Sequence, residues 1–143
     1  MGRRNKGDFA AKHGADATAN PVVRGEIESR ISGNEIPCAV AFEIAASTDT
    51  RPAEVGKTAD LMNLRLVKCQ LGLFGYSGGK IVKPQPPGDP DLTAAIESAS
   101  VDQRLSCEQA WSIAARFNLR KLNFGGVCEA LGVKIKPCQL GAF

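Results

Sequence analysis

Five cysteines carry the most distinctive chemistry in this chain, and four of them are in register. Cys38 and Cys69 lie 31 positions apart, and so do Cys107 and Cys138. Cys128 stands outside the pattern. Three chemistries fit. The cysteines can be small buried apolar side chains, the usual setting of a reduced thiol. Each pair can be a redox couple, which needs its Cα atoms within about 7 Å. Or Cys38, Cys69, Cys107 and Cys138 together can hold zinc or an iron–sulfur cluster, two ligands from each half. The spacing argues against that last reading, because structural zinc sites usually draw ligands from local Cys-x2–4-Cys pairs. The odd cysteine count and the absence of a secretory segment point to a reducing, cytoplasmic setting. Otherwise no cofactor is implied.

The matched spacing reflects a repeated unit. Residues 20–74 and 89–143 align without a gap, with 16 identities over 55 positions. Both copies end alike, in Cys69-Gln70-Leu71-Gly72-Leu73-Phe74 and Cys138-Gln139-Leu140-Gly141-Ala142-Phe143. The organisation read from this is a flexible basic tail (1–19), unit 1 (20–74), a wing and Pro-rich linker (75–88), and unit 2 (89–143). A 55-residue unit is near the lower limit for a self-sufficient core. The copies are therefore expected to pack on each other or on a second chain, which admits a homodimer.

The charge of +3 is unevenly spread. The tail carries four basic and two acidic residues, unit 1 six and seven, the linker two and none, and unit 2 six and six. The excess sits outside the neutral units, whereas non-specific phosphate binding wants a concentrated basic face. No apolar run approaches the ~20 residues that span a bilayer. The basic N-terminus lacks the apolar stretch of a secretory signal.

Each unit opens on a helix start, Asn20-Pro21 or Asp89-Pro90, with a favoured cap followed by proline. First helices are predicted to about Ser32 and Ala99. Second helices run over about Cys38–Ser47 and Cys107–Phe117, each with an apolar stripe at helical spacing. Phe42 and Trp111 are expected to plug equivalent core sites. Third helices cover about Arg51–Met62 and Arg120–Leu131. Alternation then predicts strands over Leu64–Lys68 and Val133–Lys136. In unit 1 the glycine-rich stretch 75–79 and Lys80–Lys83 predict a returning strand, making a hairpin wing. Pro84–Gly88 reads as a stiff extended spacer.

The turn before the third helix needs a residue tolerant of positive φ, and Asp49 and Asn118 supply it. Ala45 and Ala114 permit a close helix crossing, and Val55 and Phe124 supply inner apolar contacts. On these residues both copies resemble the helix-turn-helix superfamily. The repeated Cys-Gln-Leu-Gly ending is similar to that of small tandem helix-turn-helix proteins of anaerobic bacteria. The fold class expected is mainly α, two tandem three-helix units each followed by a short strand or hairpin, winged-helix-like.

The resemblance implies a DNA-binding transcriptional regulator, responsive to redox state or metal through its cysteines. Its double-stranded DNA contacts would be Arg51 and Lys57 on one third helix, Arg120, Lys121 and Asn123 on the other, and Lys80 and Lys83 on the wing. Glu54 and Asp60 oppose this in unit 1. Gly56 and its equivalent Gly125, with Gly126, imply a close approach, either of another helix or of a phosphate backbone. The competing reading is a non-catalytic interaction or adaptor module with a protein partner. An enzyme is not expected: the one histidine, His13, lies in the tail, and no glycine-rich loop leads from a strand into a helix.

Overall fold

Asn20 caps the first helix as its position predicts: its Oδ1 accepts from Val22 N at 3.0 Å and Val23 N at 3.2 Å. The computed structural model describes residues 9–14 and 17–142. These form two compact units, the first ending at Lys68 and the second beginning at Cys69.

Unit 1 contains α1 (Pro21–Arg30), β1 (Glu35–Pro37), α2 (Cys38–Thr48), α3 (Pro52–Leu61) and β2 (Arg65–Val67). Asp49 ends α2 with φ 54°, while Thr50 N donates to Ala45 O at 3.0 Å. An aspartate tolerates this left-handed geometry better than a β-branched residue would. Val23, Ile27, Ile36, Ala41, Ile44 and Val55 are fully buried and form the core.

Unit 2 repeats the order with α4 (Pro90–Ala99), β3 (Arg104–Leu105), α5 (Cys107–Arg116), α6 (Lys121–Leu131) and β4 (Lys134–Ile135). Asp89 caps α4 by accepting from Asp91 N at 2.9 Å. Asn118 takes φ 57° in the turn before α6. Leu92, Ile96, Leu105, Ala110, Phe124 and Val127 centre the core.

The fold is mainly helical, and three sequence expectations need correction. The first is the wing. β2 pairs not with Lys80–Lys83 but in parallel with β1, Glu35 opposite Arg65 and Pro37 opposite Val67. β3 and β4 pair the same way. Between 75 and 83 the pairing is one antiparallel bridge, Tyr76 with Gly79. The second is the linker. Residues 69–88 fall in unit 2, where Leu71 and Val82 are buried, rather than between the two units. The third is the pair Phe42 and Trp111: both are half-buried, and Trp111 packs against the unit 2 core rather than inside it.

Candidate functional site

The third helix was the expected reading head, so its exposure matters most. In α6 five consecutive residues, Phe124 to Cys128, are buried. A helix packed on one side only would expose some of any five. The second cover is the segment of unit 2 that precedes α4. A Cβ added at Gly125 would sit 2.5 Å from Leu71 O, and one at Gly126 would sit 2.6 Å from Lys83 O. Gln85 N donates to Gly126 O at 2.9 Å. The close approach inferred for these glycines is therefore to neither a helix nor a phosphate backbone; it is to the chain's own backbone.

This strap, residues 69–85, holds its shape by local bonds. The Tyr76 hydroxyl donates to Cys69 O at 2.6 Å. Ile81 N and Val82 N both donate to Gly72 O, at 2.9 and 3.1 Å. Gly72 has φ +80°, and Gly141 in the second Cys-Gln-Leu-Gly copy has φ +81°. The repeated motif thus encodes the same turn in each copy. Lys80 Nζ closes the strap on α6 by donating to Glu129 Oε1 at 2.8 Å.

Unit 1 has a matching device. A short 3-10 turn, Phe9–Lys12, lies against α3. Ala10 N donates to Asn63 Oδ1 at 3.1 Å, and His13 Nε2 is hydrogen-bonded to Asp60 Oδ2 at 2.9 Å. Residues 9–14 are therefore not a free tail, while 1–8, 15 and 16 lie outside the described residues. Asp60 and Glu129 are equivalent in the repeat, and each takes a nitrogen-bearing side chain from the preceding segment. Of the two acidic residues read as opposing DNA binding in unit 1, Asp60 anchors such a segment.

The candidate DNA contacts scatter. Arg51 and Arg120 are exposed and precede α3 and α6 at equivalent positions. Lys57 and Asn123 are half-buried. Lys121 Nζ lies 4.4 Å from the centroid of the Trp111 ring, a cation–π contact. Lys80 is held by Glu129, and exposed Lys83 lends its carbonyl to the approach at Gly126. Arg120, Lys121, Asn123, Lys80 and Lys83 are thus gathered on or against α6, and Arg51 and Lys57 lie in the other unit.

Sequence reasoning missed Ile81 and Leu122. They are 44% and 41% exposed, and both adjoin Gly72: Ile81 through its N–H, and Leu122 through Cδ1, which occupies the space a Gly72 side chain would need. Their signal was an apolar residue beside lysine or arginine in a segment read as wing or groove contact.

The cysteines are not divided two and two. Cys38 alone belongs to unit 1, and Cys69, Cys107, Cys128 and Cys138 belong to unit 2. None is disulfide-bonded, and among the described residues no group of three or more His, Cys, Asp or Glu is placed to hold a metal ion. Cys38, Cys69 and Cys107 are buried at 7% exposure, and Cys138 is half-buried. Burial, with the Glu129 carboxylate second, pushes the Cys128 thiol from 9.0 up to about 12, so it stays protonated and unreactive at neutral pH.

Comparison with protein-family models, with curated proteins and with solved structures finds no match. No helix among the described residues is long and apolar enough to cross a membrane.

Proposed function

We propose that this protein is a non-catalytic interaction module whose unit 2 docks a partner protein. The observation that carries this reading is the covered third helix. A helix that reads the major groove must insert one face among base edges. In α6 that role competes with Leu71, Val82, Lys83 and Gln85, which already lie against it. The backbone approach at Gly125 and Gly126 leaves no depth for a base pair.

The surface left is a small apolar patch with a basic margin. Ile81 and Leu122 supply apolar contact; Lys121 directly precedes Leu122, and Arg120 and Lys83 each lie two positions from one of them. Apolar anchors surrounded by charge suit a protein segment with apolar and acidic side chains. Site-specific photo-cross-linking from position 122, in the cells that make the protein, tests this. A discrete protein adduct, lost in Ile81→Asp and absent from a cross-linker at Ser98, is expected. Adducts to nucleic acid, or equal adducts from both positions, would overturn it.

The regulator reading keeps one specific support: Arg51 and Arg120 are exposed at equivalent helix starts. If both touch phosphate, substituting either lowers affinity for any duplex and flattens its salt dependence.

A further inference from the structure

Cys107 and Cys138 are brought together by the parallel ladder of unit 2. β3 and β4 pair Arg104 with Lys134 and Leu105 with Ile135. The ladder continues past both strands: Lys136 N donates to Leu105 O at 2.8 Å, and Cys107 N donates to Pro137 O at 3.0 Å. Cys138 follows Pro137 directly. One hydrogen bond and its flanking covalent bonds therefore hold the two Cα atoms within about 7 Å. Disulfides usually span roughly 4.4–6.8 Å between Cα atoms.

Both sulfurs also take a donor from the turn that follows Cys138. Gln139 Nε2 donates to Cys107 Sγ at 3.2 Å, and Leu140 N donates to Cys138 Sγ at 3.4 Å. Cys107 is the first residue of α5. Cys138 is the more exposed of the two. Cys128, one helix away, is buried at 1% exposure and is chemically silent by comparison.

We propose that Cys107 and Cys138 form a reversible dithiol–disulfide site that exchanges with low-molecular-weight disulfides. The Cys138 thiolate attacks one sulfur of the small disulfide; that S–S bond breaks, and the departing thiolate takes up the proton Cys138 gave up. The Cys107 thiolate then attacks the Cys138 sulfur and expels the second small thiolate, which is protonated in turn. Two protein thiols are oxidised by two electrons, and one small disulfide is reduced to two thiols. This site is independent of the docking reading.

The five cysteines fall in five different tryptic peptides, which makes the test direct. Reduced full-length protein is incubated with oxidised glutathione, quenched with an alkylating agent and digested without reduction. The expected product is peptide 105–116 linked to peptide 135–143, removed by dithiothreitol. In Cys138→Ser the 105–116 peptide no longer forms this link, and circular dichroism confirms that the variant is folded. Recovery of both peptides as alkylated thiols or stable glutathione adducts would overturn the proposal, as would Cys138 linked to any other cysteine.

Discussion

Gly125→Ala separates a covered α6 from an exposed one by the sign of its effect. In a solvent-exposed helix interior the change stabilises by about 1 kcal/mol, because glycine loses more backbone freedom on folding. Here the new Cβ would sit 2.5 Å from Leu71 O and 3.3 Å from Val82 Cγ2. Backbone cannot swing aside as a flexible side chain can, so the strap must shift. Leu71 and Val82 are 1% and 5% exposed, and each contributes about 1.5–3 kcal/mol when fully buried. Losing a third to a half of that, plus a Gln85–Gly126 hydrogen bond of about 0.5–1.5 kcal/mol, outweighs the gain in propensity. The net destabilisation is about 1–3 kcal/mol, roughly 5 °C or more in the melting of a unit this size. Trp111, the single tryptophan, lies in unit 2 and reports its transition by fluorescence. Hydrogen exchange over 71–85 should rise in the variant. An unchanged or higher melting temperature would refute the argument that the strap occupies this face.

Other perturbations test other parts of the account. Asn118→Ala should cost about 1–2 kcal/mol at φ 57°, while Asn118→Gly should be nearly neutral, as chemical denaturation will show. Asn63→Gly keeps the positive φ but removes the acceptor for Ala10 N; it should lose about 0.5–1.5 kcal/mol and raise exchange at residues 9–14. For Cys128 the folded state holds its proton more tightly than the unfolded state. Its contribution is complete below pH 9.0 and is lost as pH rises toward about 12, at up to roughly 1.4 kcal/mol per pH unit. Melting of wild type and Cys128→Ala at pH 8 and 10.5 should show a shallower decline in the variant.

Local features were legible in the sequence because their physics is local. Asn20-Pro21 and Asp89-Pro90 start helices, and Asp49 and Asn118 take the positive φ their types tolerate. The second and third helices follow from apolar spacing. The strands β1 and β3 were not legible: three and two residues show no alternation, and their partners lie some thirty positions downstream. The site was legible only as a puzzle. Gly125 and Gly126 inside a helix signal a close approach, but glycine does not say what approaches. Lys80–Lys83 alternates like a strand, yet Val82 is buried against α6 rather than paired in a sheet. The charge on Asp60 counted against DNA, whereas it holds the segment before α1, as its equivalent Glu129 holds the strap before α4.

The most direct test of the covered third helix is fluorescence anisotropy of a labelled random-sequence duplex, titrated with the full-length protein across a series of salt concentrations. The account predicts no saturable binding at low salt and no difference between wild type and Arg120→Ala. Saturable binding that falls steeply with added salt and weakens in Arg120→Ala would contradict it.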